Sequence, residues 1–150
     1  MALIEKGAAI DARSRIQSTP LHYACICGHL EVAMALIEKG ASIDARNSNQ
    51  STPLHLACMN GHLEVAMALI EKGAAIDARD RWQSTPLHFV CTYGHIDEAM
   101  TLIKVGADVY ARDMNQQTPR CTQAMTDLFN RLWRSTPLLT AMHSNDMNTF

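Results

Sequence analysis

The sequence lacks an excess of charge of either sign and lacks a long apolar run. Thirteen Lys and Arg against fifteen Asp and Glu give a formal net charge of −2 at pH 7. Since binding to nucleic acids relies on an excess of Lys and Arg, we expect no nucleic-acid partner. The longest apolar stretches, such as VAMALI at residues 32–37, are far shorter than the roughly 20 residues that span a membrane. We therefore expect no membrane partner.

Motifs for catalysis are missing as well. The chain has no glycine-rich phosphate loop, no paired-carboxylate motif and no dinucleotide fingerprint, so we predict that it is not an enzyme and takes no cofactor. Its cysteines number only five, and three recur at one spacing: Cys25, Cys58 and Cys91. This pattern is typical of small buried packing residues in a reducing compartment. With no recognisable secretory signal, we expect an intracellular, cytoplasmic protein.

What the sequence does contain is repetition. The stretch QSTPLH occurs at residues 17–22, 50–55 and 83–88, always 33 residues apart, and an eroded copy, QTPRC, follows at residues 117–121. The stretch MALIEKGA has the same period, at residues 1–8, 34–41 and 67–74. The chain is therefore a tandem array, and Met1 falls in the middle of a repeat.

The residues within one period identify the type of repeat. Thr52-Pro53-Leu54-His55 is followed by Ala57, then by Gly61-His62 and by Gly73-Ala74. In spacing and order these residues resemble the ankyrin repeat over roughly residues 1–126. The resemblance implies an all-α solenoid of helix–turn–helix units with projecting hairpin loops, a fold used chiefly to bind other proteins.

The domain prediction follows the same period. We expect an ankyrin array over residues 1–129, with full repeats at about 15–47, 48–80 and 81–113 and a degenerate fourth from about 114. In this fourth repeat Arg120 replaces the core Leu and Cys121 replaces the His. Residues 130–150 are expected to form a degenerate C-terminal cap or a partly disordered tail. Because neither end carries a recognisable cap, self-association through the ends is a further expectation.

Differences between repeats indicate where a partner would bind. Repeats 15–47 and 48–80 differ at only seven positions, of which two lie at the hairpin tip and three on the outward face of the first helix. The resemblance places both regions on the concave partner surface. The third repeat adds aromatic residues, which often dominate interface energetics. The predicted partner-binding residues are Ile16, Ile26, Met59, Asn60, Arg81, Trp82, Thr92 and Tyr93.

Two alternatives to this site prediction stay open. Random sequence change at exposed positions would give the same pattern of differences between repeats without any partner. In addition, Phe89 is interpreted as either a core residue or a surface residue, and Trp82 as either a contact for a partner or a residue packed on its own hairpin. The function predicted is a non-catalytic scaffold for protein–protein interaction. The alternative is a structural spacer, or a fragment of a longer array with no binding site of its own.

The stretch HYACICGH at residues 22–29 raises the question of a zinc site or a Cys–His nucleophile. His22, Cys25 and His29 each recur 33 and 66 residues later, and a catalytic or metal site has no need of three equivalent copies. We therefore predict no metal site and a bracing role for these residues. Cys27, which does not recur, leaves a site confined to the first full repeat as the alternative.

Two further features repeat with the period. Where the family has Gly at the hairpin tip, this chain has Gln in every copy: Gln17, Gln50, Gln83 and Gln116. Either the backbone keeps a positive φ, which costs about 1 kcal/mol of stability for each Gln, or the hairpin adopts a different conformation. One Arg also recurs at Arg13, Arg46, Arg79 and Arg112. This ladder is either neutralised by the Asp two residues earlier or attracts an acidic partner.

Overall fold

A computed structural model describes residues 9–120, together with Asp127, Asn130 and Arg131. The chain divides into two units, Met1–Arg120 and Cys121–Phe150. Residues 9–120 contain six helices: α1 (Pro20–Cys27), α2 (Leu30–Glu38), α3 (Pro53–Met59), α4 (Leu63–Glu71), α5 (Pro86–Tyr93) and α6 (Ile96–Lys104). Residues 9–120 contain no strand, which confirms the prediction of an all-α array.

The first helices of the repeats (α1, α3 and α5) all begin with Thr at the N-cap and Pro at the first helical position. Thr52 stands at the N-cap of α3 in an extended conformation, and its side chain accepts a hydrogen bond from the His55 N–H. Pro53 follows at the first helical position, where an N–H is not needed for the helix. The ring of His55 in turn accepts the backbone N–H of Thr52. Two otherwise unpaired donors are thereby satisfied, as in a capping box.

Each second helix (α2, α4 and α6) packs against the first helix of its own repeat, and the second helices also pack on one another, α2 on α4 and α4 on α6. These helices are amphipathic: Ala66 and Leu69 of α4 are buried while Glu64 and Glu71 are exposed. The chain leaves α4 through Gly73, whose φ is 98°. This left-handed conformation favours glycine, so the position of the helix end is encoded locally.

The core is a continuous layer between neighbouring repeats. Leu21, Leu54 and Leu87 occupy one repeat position and are all fully buried. First helices pack side by side along the array, α1 on α3 and α3 on α5. Helices of seven to nine residues are too short to be stable in isolation, so their stability depends on this burial between repeats.

The hairpins retain the backbone conformation that the family gives to glycine. Gln17, Gln50, Gln83 and Gln116 have φ of 60°, 58°, 61° and 61°. Of the two alternatives, the strained backbone is therefore the one observed, rather than a re-formed hairpin. A left-handed conformation costs a side-chain-bearing residue roughly 1–2 kcal/mol.

Adjacent hairpin tips are joined by backbone hydrogen bonds. The N–H of Ser48 donates to the Ile16 carbonyl, that of Arg81 to the Asn49 carbonyl and that of Met114 to the Trp82 carbonyl, each at 2.9 Å. The tips therefore form a connected row, which holds their side chains at a regular spacing along the array.

Several predictions fall outside the described residues. The starting half repeat at residues 1–8, most of the fourth repeat beyond residue 120, and the tail at 130–150 apart from Asn130 and Arg131 belong to this group. The domain boundary at 129/130 and the uncapped ends therefore stay predictions.

Candidate functional site

The arginine ladder forms cross-links between repeats. Nη1 of Arg13 donates to the Gln17 carbonyl (2.9 Å) and to the Arg46 carbonyl of the next repeat (2.7 Å). Arg46 and Arg79 repeat this arrangement one and two periods later. Each guanidinium thus binds the carbonyl of a strained Gln and ties that hairpin to its neighbour. The ladder is a structural element, and neither of the two sequence interpretations had anticipated these bonds.

The aspartates two residues earlier also bond to the next repeat. Oδ1 of Asp11 accepts the Ser42 N–H at 3.1 Å, and Oδ1 of Asp44 accepts the Ala75 N–H at the same distance. Arginine and aspartate side chains therefore both satisfy backbone groups of the hairpin that follows. This use of the charged side chains favours inter-repeat bracing over recruitment of an acidic partner.

The recurrent histidines are engaged at both ring nitrogens. Nδ1 of His22 accepts the Thr19 N–H at 3.0 Å, so Nε2 carries the proton and donates to the Ser51 carbonyl of the next repeat at 3.0 Å. Burial lowers the pKa of His22, and bonding to the Ser51 carbonyl opposes this shift in part. His55 has the same arrangement and a pKa that is likewise lowered, chiefly by burial. These rings are neutral braces between repeats.

The second recurrent histidine, at His62 and His95, bonds to the C-terminal end of the first helix of the preceding repeat. Nε2 of His62 bonds to the Ile26 carbonyl at 3.0 Å, and Nε2 of His95 to the Met59 carbonyl at 3.1 Å. Each ring lies over a glycine of the preceding repeat, Gly28 or Gly61, so closely that a Cβ there would approach it to within 2.5–2.7 Å. Glycine at this position is therefore required by packing as well as by its positive φ.

The cysteines differ in their environments. Cys25 and Cys58 are buried free thiols, and burial raises the pKa of Cys25 to about 12 and raises that of Cys58 as well. Cys27 is free and exposed. Cys91 is buried but disulfide-bonded, which corrects the interpretation of all three recurrent cysteines as free packing residues. Within the described ranges, no group of three or more His, Cys, Asp or Glu side chains is placed to hold a metal ion.

The predicted partner-binding residues lie on the first helices and on the hairpin tips, and all are at least partly exposed. At the tips, Ile16 is 55% and Trp82 is 43% exposed, and on α5 Tyr93 is 55% exposed. Ile26 and Met59 are half-buried. Asn60, Arg81 and Thr92 are exposed.

Two of these polar residues turn toward their own helix. Nδ2 of Asn60 donates to the Leu56 carbonyl, and Oγ1 of Thr92 donates to the His88 carbonyl, both at 2.8 Å. At about 100° per residue, Leu56 falls on the face of α3 opposite Leu54 and Ala57, which predicts an outward position, but Leu56 is buried. The equivalent Tyr23 is exposed and Phe89 is half-buried, so packing at this position differs from repeat to repeat.

Aromatic contacts concentrate in the third repeat. The guanidinium carbon of Arg81 lies 5.4 Å from the centre of the Trp82 ring, a cation–π geometry. The Tyr93 ring stacks on His95 with centres 6.3 Å apart, and the Phe89 ring meets His55 edge-on at 5.7 Å. These contacts fix the orientation of the rings while leaving part of each accessible.

A cavity of about 130 Å³ lies between α5 and the fourth hairpin. Its lining includes Ser84, Phe89, Thr92 and Tyr93 from the third repeat, and Asp113 and Arg120 from the fourth. Sequence reasoning included Thr92 and Tyr93 in the site but missed the cavity. The signal was present in Arg120, which stands where the three preceding repeats have a buried Leu.

Comparison with known protein families agrees with this geometry. The family described as ankyrin repeats (3 copies) matches residues 43–113, and that described as ankyrin repeat matches residues 17–48. Together the matches cover more than half of the chain. The chain belongs to the ankyrin repeat family.

Ankyrin repeats are generally modules for protein–protein interaction, and proteins built from them are typically non-enzymatic. A search of curated proteins finds no match to this ankyrin repeat chain. Over the part of the chain that the structure describes, no helix has the length and apolar character needed to cross a membrane.

Proposed function

We propose that this ankyrin repeat protein is a non-catalytic scaffold that binds another protein on the face formed by its first helices and hairpin tips. The observation that carries the proposal is the accessible aromatic surface of the third repeat, in particular Trp82 and Tyr93. Aromatic residues and arginine contribute most to interface energetics, because they bury large rigid areas or make several directed contacts. Arg81, over the Trp82 ring, adds such a residue.

The distribution of charge supports the choice of face. The first helices, PLHYACIC, PLHLACM and PLHFVCTY, contain no Lys, Arg, Asp or Glu. Among α1–α6, the charged residues all lie on the second helices, for example Glu31 and Glu38 in α2 and Asp97 and Lys104 in α6. Interface cores are depleted in charged residues, so the uncharged first-helix side is the better partner surface.

Rigidity is the mechanism by which this surface would bind. The tips are held by backbone bonds to one another and by the arginine cross-links. The Tyr93 ring stacks on His95, and the Phe89 ring meets His55 edge-on. A surface ordered before binding loses little conformational entropy when the partner arrives. Specificity would then come from the residues that differ between repeats.

The test compares two double variants as baits for partner capture with quantitative mass spectrometry. Trp82→Ala/Tyr93→Ala removes aromatic area from the proposed face, while Met67→Ala/Val105→Ala removes apolar area of comparable exposure elsewhere. We expect the first variant to reduce specific capture by at least about tenfold, as for hot-spot residues, and the control to retain it. Equal losses from both variants, or no partner specific to the unmodified chain, would favour the spacer.

We also propose a reducing, cytoplasmic location, supported by the three free thiols Cys25, Cys27 and Cys58. The disulfide at Cys91 is the opposing observation. Alkylation of the protein at the moment of cell lysis, followed by mass spectrometry, decides between them. Five alkylated thiols are expected, and a quantitatively oxidised Cys91 would contradict the proposal.

A further inference from the structure

We call the packing interface between two successive repeats a joint. The joint between the third repeat and the fourth hairpin is more open than the joint one repeat earlier. Leu87 fills the earlier joint and is fully buried, whereas Arg120, at the same repeat position, is exposed. Thr85 is fully buried, but its counterpart Thr118 is only half-buried. A long charged side chain cannot replace Leu in an apolar joint without losing its hydration. The cavity described above borders this replaced position.

The lining combines ring surface with hydrogen-bonding groups. Phe89 and Tyr93 supply aromatic surface, and Ser84 and Thr118 supply hydroxyls. The guanidinium of Arg120 has no hydrogen bond or ion pair with any other described residue. Such a group presents several N–H donors in one plane, which match the two oxygens of a carboxylate.

Asp113 is the acidic residue of the lining, and half of its carboxylate is occupied. Its Oδ1 accepts the backbone N–H groups of Asn115 at 2.8 Å and Gln117 at 3.0 Å. The other oxygen makes no hydrogen bond within the described residues. An aromatic ring that carries a hydroxyl would supply a donor for it, which an unsubstituted ring would not.

The volume limits what enters. A cavity of about 150 Å³ with apolar walls is known to hold a benzene molecule, so about 130 Å³ is close to the size needed for one six-membered ring. Aromatic rings contribute most when they pack against other rings at offset or edge-on geometry, and Phe89 and Tyr93 supply such partners.

We propose that this cavity is an anchor pocket for one tyrosine side chain of the partner protein, with a neighbouring carboxylate of the same segment paired to Arg120. This inference rests on the proposed function, because it names the chemistry of the partner at the same face. The phenol ring lies against Phe89 and Tyr93, and its hydroxyl faces the free oxygen of Asp113.

Small probes test the pocket on the full chain without knowledge of the partner. Titration of the isotope-labelled protein with 4-hydroxyphenylacetate, followed by NMR, is expected to shift the amides of Phe89, Thr92, Tyr93 and Gln117. Tyramine, which has the same phenol ring with an ammonium group, is expected to bind about fivefold more weakly, the size of a solvent-accessible ion pair. Phenylacetate, without the hydroxyl, is also expected to bind more weakly. Shifts elsewhere, or preference for tyramine, would overturn the inference.

Variants at one position provide the matched controls. Arg120→Leu restores the residue of the other repeats and should close the pocket, so binding of all probes should fall at least about tenfold. Arg120→Gln removes the charge but keeps a polar side chain with N–H donors, and should abolish only the difference between 4-hydroxyphenylacetate and tyramine. Unchanged titrations with Arg120→Leu, while circular dichroism shows a folded protein, would contradict the assignment. Met67→Ala is the remote control and should leave every titration unchanged.

Failure of this inference differs from failure of the proposed function. If the chain has no protein partner, capture is empty but the probes still bind and respond to Arg120. If the pocket is not the anchor, partners lost in Trp82→Ala/Tyr93→Ala are still captured at full strength by Arg120→Leu.

Discussion

The second and third repeats have the same scaffold in different surroundings. Both begin a helix with Thr-Pro-Leu-His, both carry a Gln at φ near 60°, and both bury the same Leu completely. The second repeat is followed by a joint that Leu87 closes, whereas the third is followed by a joint in which Arg120 leaves a cavity. Residues at the same repeat position therefore have the same backbone conformation but different neighbours. Mutating both members of such a pair separates the effect of the backbone from the effect of the neighbours on stability.

The largest effect is expected from the paired core changes Leu54→Ala and Leu87→Ala. Removal of a buried Leu side chain costs about 2–5 kcal/mol, depending on how far the surroundings relax. Leu54 is enclosed by intact joints, so we expect a loss of about 4 kcal/mol, and about 2–3 kcal/mol for Leu87 beside the open joint. Urea denaturation measures both. Equal losses of stability would mean that the cavity does not help the surroundings of Leu87 to relax after the side chain is removed.

The glycine pair isolates a single contact. Gly61 and Gly94 have φ of 72° and 74°, but a Cβ on Gly61 would meet the His95 ring at 2.7 Å, whereas a Cβ on Gly94 would meet no described residue within 4 Å. Gly94→Ala should therefore cost only the strain of the left-handed backbone, about 1–2 kcal/mol. Gly61→Ala adds the displacement of His95, for a total of about 2–4 kcal/mol. If denaturation gives the same loss for both, the histidine brace contributes little.

Acid should weaken the array through its buried histidines. Burial lowers the folded-state pKa of His22 and His55 below the ordinary value near 6.5. A depressed pKa means that the stability contribution is complete above the unfolded-state pKa and is lost as pH falls through it. The denaturation midpoint should decline between pH 7.5 and 5. His55→Gln should have a flatter profile, and a midpoint that rises toward pH 5 would refute this linkage.

A smaller effect is expected from the arginine ladder. Arg46 bonds to the Gln50 carbonyl and to the Arg79 carbonyl of the next repeat, whereas the bond found for Arg112 within the described residues is to its own hairpin at Gln116. Arg46→Ala should cost about 1 kcal/mol, since the bonds are exposed, and Arg112→Ala about half of that. Thermal denaturation of both variants measures the difference, and a larger loss from Arg112→Ala would reverse the assignment.

The smallest effect is expected from the strained tips. Gln83→Gly should raise the denaturation midpoint, because it relieves the positive φ of 61°. Glycine also makes the unfolded chain more flexible, so the net gain should stay below about 1 kcal/mol. Gln50→Gly is the matched variant in the second repeat and should give the same gain. A lower midpoint in both would contradict this prediction and show that the flexibility that glycine adds to the unfolded chain outweighs the relieved strain.

Helices, their ends and the all-α class were predictable from the sequence because their causes are local. The Thr cap, the Pro at the first turn and the closing Gly act within one repeat, and the period of 33 residues propagates them. Exposure of the tips and of Tyr93 followed from comparing repeats with one another. Helical periodicity misplaced Leu56, since burial there depends on the neighbouring repeat.

The sequence alone determined the repeat, the class of fold and the positions at which repeats differ, because each follows from residues close together in the chain. Only the tertiary structure decided what Arg46 binds, how His62 closes on Gly28 and where Arg120 opens a cavity. The hydrogen bonds of Arg46 to Arg79 and of His62 to Ile26 join groups 33 and 36 residues apart along the chain, and their acceptors are backbone carbonyls, which every residue has. Because no residue type distinguishes one backbone carbonyl from another, the sequence does not indicate which carbonyl is the acceptor. The three-dimensional arrangement of the repeats decides it.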